Sequence, residues 1–294
     1  MSKIKNYLSL VKFAHTIFAM PFAMIGFCLG VLNVPHTAGS NPNYLQYGIK
    51  FFLVLVCMVT ARSAAMAFNR YLDRSFDAMN PRTAIREIPK GIISANSALR
   101  FVILNCILFV VATWFINTIC FILSPVALFV ILFYSFTKRF TALCHLVLGL
   151  GLSLAPIGAF LAVTGVFALV PVLFSLSVIF WVSGFDIIYA LQDEEFDKSN
   201  DLYSIPSRLG KARALKVSSL LHFISAACVI AAGYYGNFHW IYLIGIAVFV
   251  LMLIYQHSLV KPTDLSKVNI AFMTANGIAS VVFAVLVIAD LLLL

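Results

Sequence analysis

Charged side chains are scarce in this sequence of 294 residues: only 11% are Asp, Glu, Lys or Arg, whereas 62% are hydrophobic. An ordinary soluble domain is about half apolar and about a quarter charged. A compact soluble fold needs a charged surface, so this composition excludes a soluble enzyme, a disordered chain and a nucleic-acid-binding protein. With a mean hydropathy of +1.01, the sequence predicts an integral membrane protein.

Closely paired cysteines are also missing. The six cysteines lie in or at the ends of apolar runs, and no two of them form a CxxC pair (Cys28, Cys57, Cys106, Cys120, Cys144 and Cys228). We interpret them as small buried hydrophobic residues and not as disulfides or metal ligands.

Long apolar runs, by contrast, are abundant. A helix needs about 20 apolar residues to cross a bilayer, and on that measure the sequence predicts an all-α protein with nine transmembrane helices around a central cavity. The predicted spans are residues 14–33, 46–68, 98–117, 119–136, 143–164, 168–191, 214–234, 239–258 and 268–292. The first run is too long for the apolar part of a signal peptide, so we expect a retained helix. Residues 1–294 are interpreted as one integral-membrane domain.

Basic residues occupy alternate loops. Lys and Arg gather on the cytoplasmic side of a membrane protein. Here the N-terminal segment and the loops after the second, fourth, sixth and eighth spans are basic, whereas the intervening loops contain no Lys or Arg. This pattern predicts a plasma-membrane protein with a cytoplasmic N-terminus and an external C-terminus. The net charge of +9 is therefore interpreted as a topology signal and not as a sign of a nucleic-acid partner.

Acidic residues are few, and nine of the eleven lie in two clusters at the cytoplasmic ends of the second and sixth spans. Asp73 and Asp77 are four residues apart, and so are Asp193 and Asp197. Residues at i and i+4 share a helix face, which places the two carboxylates of each pair about 6 Å apart along the axis. Mg²⁺ takes one or two carboxylates together with substrate phosphates. The two pairs predict a cavity in which Mg²⁺ ions bind a diphosphate.

The two clusters are related by a constant offset. The first Asp of each pair is 120 residues from its counterpart, and so is the second (193 − 73 = 120 and 197 − 77 = 120). Parallel internal repeats are known in membrane proteins. We therefore predict a weak internal duplication in which the helices of the second and sixth spans are equivalent.

Further polar residues lie deeper in the same two helices. Asn69 and Tyr189 occupy matching positions, four residues before the first Asp of each pair. Arg62 lies seven residues before Asn69, and Asp186 lies seven residues before Asp193. Seven residues are nearly two helical turns, so each points to the same face as its motif. Because a charged residue inside a span usually faces a cavity or a partner, we predict that Arg62 faces the cavity.

These residues resemble the two signatures of the UbiA superfamily of intramembrane prenyltransferases. The first signature matches Asn69, Asp73, Asp77, Asn80, Pro81, Arg82, Thr83, Arg86, Pro89 and Gly91, and the second matches Tyr189, Asp193, Asp197, Ser204, Pro206, Leu209 and Gly210. Within the superfamily, the stretches FAHTIFAMPFAMIG and MAFNRYLDRSFDAMNPRT are most similar to the 4-hydroxybenzoate polyprenyltransferase group. The nine spans and both loops match across essentially the whole chain.

The resemblance implies Mg²⁺-dependent transfer of a polyprenyl group from a polyprenyl diphosphate to an aromatic acceptor in quinone biosynthesis. The implied catalytic residues are Asn69, Asp73, Asp77, Tyr189, Asp193 and Asp197, of which all except Tyr189 are candidate Mg²⁺ ligands. Tyr189 is instead a candidate for a cation–π contact with the allylic carbocation. The candidates for substrate binding are Arg62, Arg82, Arg86, Asp186, Lys198 and Arg208. Arg82 and Arg86 suit a clamp on diphosphate oxygens.

The aromatic acceptor stays open between a 4-hydroxybenzoate, a naphthoate of the menaquinone type and another quinone precursor. A secondary transporter is the alternative from another class, although transporter sites tend to lie near the midplane, whereas these Asp pairs lie at the cytoplasmic ends of spans. A phosphatidyltransferase is a further alternative, but the sequence lacks the glycines and the first DG of that pattern. No obligate protein partner is inferred.

Overall fold

The computed structural model describes residues 3–12, 18–34 and 44–294 of the chain. Within these ranges the regular structure is entirely helical, and the only β-type pairing is one isolated bridge between Lys261 and Asp264. The prediction of an all-α membrane protein is confirmed.

The described ranges contain thirteen α-helices. They are α1 (Lys3–Leu10), α2 (Met20–Asn33), α3 (Tyr44–Leu72), α4 (Arg74–Met79), α5 (Ala95–Ile116), α6 (Thr118–Thr137), α7 (Cys144–Thr164), α8 (Leu169–Ala190), α9 (Glu194–Ser199), α10 (Ile205–Leu209), α11 (Lys211–Tyr235), α12 (Trp240–Leu259) and α13 (Asn276–Leu293). A 3-10 turn at Leu191–Asp193 joins α8 to α9, and a π-helical turn at Ile270–Ala275 precedes α13.

Eight helical segments of the described chain are long and apolar enough to cross a membrane. They are α3, α5, α6, α7, α8 with its continuation to Ser199, α11, α12, and α13 with its π-helical turn. The apolar α2 has only 14 residues, fewer than the roughly 20 that a full crossing needs. Residues 14–17 of the predicted first span lie outside the described ranges. The count of nine and the sides of the two termini therefore stay predictions.

Each acidic motif lies where its long helix bends. Asp73 has φ −89° and ψ 8° between α3 and α4, and Asp193 has φ −104° and ψ 5° before α9. The spacing predicts a regular helix through each Asp pair, whereas the regular helix is interrupted at the first Asp of each pair and resumes immediately after it. A single residue with ψ near zero bends the chain while the hydrogen bonds on either side persist: the Asp73 N–H donates to the Asn69 carbonyl at 2.9 Å, and the Asp77 N–H donates to the Asp73 carbonyl at 2.8 Å.

Small residues allow the helices that carry the site to pack closely. A Cβ atom at Gly26 of α2 would lie 2.0 Å from the Pro156 carbonyl oxygen of α7. A Cβ atom at Gly149 of α7 would lie 2.4 Å from the Ile179 carbonyl oxygen of α8. Such contacts need glycine, as is typical of helix interfaces in membranes. They fix α2, α7 and α8 against one another.

The π-helical turn brings an aromatic side chain toward α8. Gln256 Nε2 donates to the Ala271 carbonyl at 2.9 Å, and Trp181 Nε1 donates to Asn276 Oδ1 at 2.9 Å, so side chains from α12 and α8 hold both ends of the turn. Phe272 in this turn has its ring centroid 4.4 Å from that of Tyr189. π-helical turns often occur at functional sites, and this one forms part of a cavity wall.

Candidate active site

The two acidic loops, which contain Asp73 and Asp77 and then Asp193 and Asp197, contact each other at the Asp193 carboxylate. Arg82, in the segment after α4, donates from Nε to Asp193 Oδ1 at 2.9 Å and from Nη2 to Asp193 Oδ2 at 2.5 Å. Asn80 Nδ2 donates to the same Oδ1 at 3.1 Å. A guanidinium fork on a carboxylate is geometrically specific. These contacts bring together two signatures that are more than a hundred residues apart in the sequence.

The other three motif carboxylates also have basic partners. Arg86 Nη1 donates to both oxygens of Asp77, at 2.7 and 2.9 Å. Arg139 Nη2 donates to Asp73 Oδ1 at 3.0 Å and also to the Leu72 carbonyl at 3.0 Å. Lys138 Nζ lies 2.7 Å from Asp197 Oδ1. All four motif carboxylates are thus paired with a basic side chain.

Lys138 and Arg139 belong to the segment between α6 and α7, which sequence reasoning interpreted only as a topology signal. These two adjacent residues reach one carboxylate in each acidic loop. Positive-inside loops and anion-binding loops look alike in a sequence, so no sequence signal separates the two roles for Lys138 and Arg139. The segment therefore connects the two motifs.

Burial and charge shift the ionisation of the groups in these loops. Burial raises the pKa of Asp73 to about 6, although the charge of Arg139 opposes the shift. Burial acts to lower the pKa of Lys138, but the charge and hydrogen bond of Asp197 outweigh it and raise that pKa above its ordinary value. The same balance, with Asp193 as partner, raises the pKa of Arg82. Both basic side chains therefore stay positive near neutral pH.

A cavity of about 290 Å³ opens between these loops and the helices below them. Nine of the predicted site residues line it: Arg62, Asn69, Asp73, Asp77, Arg82, Arg86, Asp186, Tyr189 and Asp193. Asp197 does not line it, because its carboxylate is fully buried between Lys138 and the Ser204 hydroxyl, which donates to Oδ2 at 2.9 Å. The structure therefore brings most of the predicted site together.

Two predicted substrate-binding residues lie elsewhere. Lys198 forms an ion pair with Glu194 at 2.5 Å one turn earlier on α9, and half of its side chain is exposed. The guanidinium carbon of Arg208 lies 4.3 Å from the centroid of the Tyr203 ring. Neither side chain lines the cavity.

Arg62 and Asp186 lie at the inner end of the cavity and do not pair with each other. Asp186 Oδ2 is instead 2.7 Å from His145 Nδ1. The Nε atom of Arg62 is buried without a hydrogen-bond partner in the described chain. An unsatisfied buried donor on a cationic side chain is costly and marks a place where an anion is stabilised.

A second cavity of about 370 Å³ adjoins the first and is almost wholly apolar. The two cavities share the lining residues Arg62, Met66, Tyr134, Leu148 and Leu152. Apart from these five, its walls come mainly from α3, α6 and α7, with side chains such as Val54, Val130, Ile131 and Leu161. The polar cavity and the apolar cavity thus meet at Arg62.

Tyr189 lies between the charged loops and the inner end of the polar cavity. Its hydroxyl accepts a hydrogen bond from Arg82 Nη1 at 3.0 Å, and the guanidinium carbon lies 5.3 Å from the ring centroid. The ring of Phe272, in the same cavity wall, packs against the Tyr189 ring with the two centroids 4.4 Å apart. The ring is therefore held in one orientation by a charged group and an aromatic group.

The donors in the loops suit a hard divalent cation. Asp73, Asp77 and Asp193 offer carboxylate oxygens, and Asn69 Nδ2 donates to Asp73 Oδ2 at 3.0 Å, which leaves the amide oxygen available as a ligand. Within residues 3–12, 18–34 and 44–294, no three His, Cys, Asp or Glu side chains are close enough to enclose an ion by themselves. Mg²⁺ sites of this kind take one or two carboxylates and complete their shell with phosphate and water.

Comparison with known proteins agrees with this architecture. The model of the UbiA prenyltransferase family matches residues 19–278. A 4-hydroxybenzoate octaprenyltransferase from Francisella tularensis subsp. novicida is 29% identical over 247 residues, which cover 83% of this chain and 84% of that protein.

Solved structures show the same fold. A UbiA homologue from Aeropyrum pernix superposes with a TM-score of 0.82 at 31% identity, over 95% of this chain and 98% of the other. A UbiA homologue from Archaeoglobus fulgidus bound to DMAPP and Mg²⁺ superposes with a TM-score of 0.70 at 23% identity, over 98% of this chain and 100% of the other. This multi-pass membrane protein is a transferase and belongs to the UbiA prenyltransferase family.

Proposed function

We propose that this protein transfers a polyprenyl group from a polyprenyl diphosphate to the ring of a 4-hydroxybenzoate-like acceptor, with Mg²⁺ as cofactor, in quinone biosynthesis. The observation that carries the proposal is the junction of a charged cavity and an apolar cavity beside Arg62. A prenyl diphosphate has one highly charged end and one long apolar end, and the two chambers match those ends. The relatives named above are similar proteins whose names or bound molecules agree with this chemistry.

The charged end of the donor is assigned to the acidic loops. Arg82, Arg86 and Arg139 are each engaged by a motif carboxylate. When Mg²⁺ is bound it neutralises the diphosphate and improves it as a leaving group. The guanidinium groups are then released from their carboxylates and can bind diphosphate oxygens in the bidentate manner that suits arginine. Because Mg²⁺ needs carboxylates that are free of arginine, binding of the diphosphate to the arginines favours binding of Mg²⁺ to the carboxylates.

The apolar tail of the donor is assigned to the second cavity. Its lining is almost free of polar surface, and it lies between α3, α6 and α7. Burying each CH₂ group of an isoprenoid chain there is worth about 0.8 kcal/mol. The reactive carbon then lies at the junction, below the diphosphate and close to Tyr189.

The acceptor is assigned to the inner end of the polar cavity. Arg62 has a buried Nε without a partner in the described chain, and an aromatic carboxylate would complete its hydrogen bonding. The acceptor ring then lies between Arg62 and the allylic carbon. Tyr189 faces the same space with a fixed ring and can stabilise the carbocation through its π-electrons. A carboxylated naphthoate would meet the same arginine, so the menaquinone alternative differs in ring size and not in this contact.

The reaction is assigned to the cytoplasmic face of the plasma membrane. The basic segments that contain Arg82, Arg86, Lys138 and Arg139 follow the positive-inside pattern, and these segments hold the charged cavity. The donor tail can then enter from the bilayer and the polar acceptor from the cytoplasm. The transporter alternative loses its support, because Asp73, Asp77 and Asp193 line one cavity at helix ends and the family is one of transferases.

The test is an assay of the purified full chain with Mg²⁺, labelled geranyl diphosphate and a panel of aromatic compounds. The panel contains 4-hydroxybenzoate, a dihydroxynaphthoate and phenol, which has no carboxylate. We expect a prenylated product with a carboxylated acceptor and none with phenol. Equal product with phenol, or no product with any acceptor, would contradict the proposal.

A further inference from the structure

Asp186 differs from the other acids of the cavity. The carboxylates of Asp73, Asp77 and Asp193 all have arginine partners. Of the acids that line the cavity in the described chain, Asp186 alone forms no ion pair with an arginine or lysine. Its only hydrogen-bond partner there is His145, at Oδ2, so Oδ1 is not engaged. A quarter of its side chain is exposed to the cavity.

The state of His145 follows from its two contacts. The backbone N–H of Ile205, the first residue of α10, donates to Nε2 at 3.3 Å. This contact assigns the acceptor role to Nε2 and therefore the ring proton to Nδ1, which donates it to Asp186. The imidazole is almost fully buried, and both of its nitrogens are occupied. His145 thus fixes Asp186 from behind with one donated hydrogen bond, as an orienting group fixes a catalytic partner.

Asp186 lies next to the space that is assigned to the reacting carbons. It precedes Tyr189 by three residues, which is about 4.5 Å deeper along α8. It shares the inner end of the cavity with Arg62, the residue assigned to the acceptor carboxylate. A ring held between Arg62 and the allylic carbon therefore passes in front of Asp186.

We propose that Asp186 is the base that removes the ring proton of the acceptor, and that His145 is the residue that positions it. This inference rests on the proposed function. In the reaction the allylic C–O bond breaks and its electron pair leaves with the diphosphate. A ring carbon beside the acceptor hydroxyl forms the new C–C bond, which leaves a cationic ring with one hydrogen too many. Asp186 Oδ1 takes that hydrogen as a proton and becomes a carboxylic acid, the C–H electron pair restores the aromatic ring, and the proton passes to water when the products leave.

The charge pattern of the site supports this choice of base. The other lining carboxylates are occupied by arginine or Mg²⁺, so they are poor proton acceptors at the moment of reaction. A carboxylate that has no arginine or lysine partner also stabilises the cationic ring electrostatically, and this stabilisation is stronger in a site that excludes water.

The test is a hydrogen isotope effect measured with 4-hydroxybenzoate deuterated at the two ring carbons beside the hydroxyl. Loss of the ring proton from the wild-type complex is fast, so we expect equal rates with the light and heavy acceptor. In Asp186→Asn, which keeps the shape and still accepts the His145 hydrogen bond, proton removal becomes slow. We expect kcat to fall by about a hundredfold or more and the deuterated acceptor to react measurably more slowly than the light one.

Three further variants separate a base from a structural residue. Asp186→Glu keeps a displaced carboxylate and should recover part of kcat with a smaller isotope effect. His145→Leu should show an isotope effect while binding the prenyl diphosphate normally. Asp201→Asn makes the same chemical change on an exposed loop residue outside the cavity and should behave as wild type.

Two results would overturn the inference: an Asp186→Asn variant whose kcat falls without a hydrogen isotope effect, or an Asp186→Asn variant whose kcat is unchanged. A wild-type enzyme that fails to prenylate 4-hydroxybenzoate would instead contradict the proposed function. In that case the isotope experiment applies to whichever ring-deuterated acceptor of the panel reacts.

Discussion

The two acidic loops match in sequence and in backbone but differ in what surrounds their carboxylates. Asp73 and Asp193 occupy equivalent bends with nearly the same φ and ψ. In the first loop both Asp73 and Asp77 line the cavity, whereas in the second loop only Asp193 does so. Asp197 is fully buried and held by Lys138 and Ser204. The second carboxylate of the motif therefore faces the cavity in the first loop and is a buried structural anchor in the second.

The largest effect is expected at the first carboxylate of each loop. Asp73→Asn and Asp193→Asn each remove a negative charge from the Mg²⁺–diphosphate site. Metal stabilisation of a leaving group is worth several kcal/mol, so turnover should fall by about 10³-fold or more in both variants. Turnover of labelled geranyl diphosphate by the purified variants measures this, and Asp264→Asn on an exposed loop is the control. A variant of one loop that keeps normal turnover would break the equivalence of the two bends.

The next effect concerns the acceptor end, which lies below both loops. Arg62→Ala removes a charge-assisted hydrogen bond worth about 1.5–3 kcal/mol, so the acceptor KM should rise about tenfold to a hundredfold. The KM for the prenyl diphosphate should change much less, and Arg62→Lys should restore little because lysine lacks the planar fork. Steady-state kinetics with each substrate varied in turn measures this, with Arg213→Ala as the control. If both KM values rise together, Arg62 belongs to the diphosphate site or to the fold.

A smaller effect, on stability, distinguishes Asp197 from Asp77, the second carboxylate of each loop. Asp197→Asn leaves Lys138 without its partner. Breaking a fully buried pair costs roughly 3–5 kcal/mol, and we expect about 2 kcal/mol here because the Lys138 side chain is partly exposed. Asp77→Asn should cost less, because Asp77 lines the cavity, where water can solvate the released Arg86, whereas Asp197 is fully buried. Thermal unfolding of both variants in detergent measures the difference. Equal unfolding temperatures would remove the distinction between anchor and ligand.

The fourth prediction tests whether the two acidic loops lie on the same side of the membrane, and it involves no change in activity. In a background without the native cysteines, Ser75→Cys and Ser199→Cys should react with an impermeant thiol reagent only from the cytoplasm. Gly236 is unsuitable as the external site, because an added Cβ atom would lie 2.4 Å from the Phe238 ring. Val166→Cys, in the exposed connection between α7 and α8, should react from outside. Opposite sidedness of Ser75 and Ser199 would rule out a single chamber.

Much of this site was predictable from the sequence, because its main features are local. The spacing of Asn69, Asp73 and Asp77 and the burial cost of Arg62 are readable from one segment of chain. The apolar runs likewise predict the helices to within a few residues, although α3 extends to Leu72 where the pattern ends at residue 68.

The rest could not be predicted, because it depends on contacts between distant segments. Asn80 and Arg82 reach Asp193 across more than a hundred residues, and His145 reaches Asp186 across 41. The positive-inside rule already accounts for two basic residues at Lys138 and Arg139, so their contacts with Asp197 and Asp73 could not be read from the sequence. The bends at Asp73 and Asp193 involve neither Gly nor Pro, the usual signals of a helix break.

The central claim is that both acidic loops form one Mg²⁺-dependent diphosphate site. The most direct measurement is the binding of an unreactive geranyl thiolodiphosphate to the purified protein, with and without Mg²⁺. We predict tight binding only with Mg²⁺, lost to a similar degree in Asp73→Asn and in Asp193→Asn. Binding that is equally tight in EDTA, or that depends on one of the two loops alone, would contradict the account.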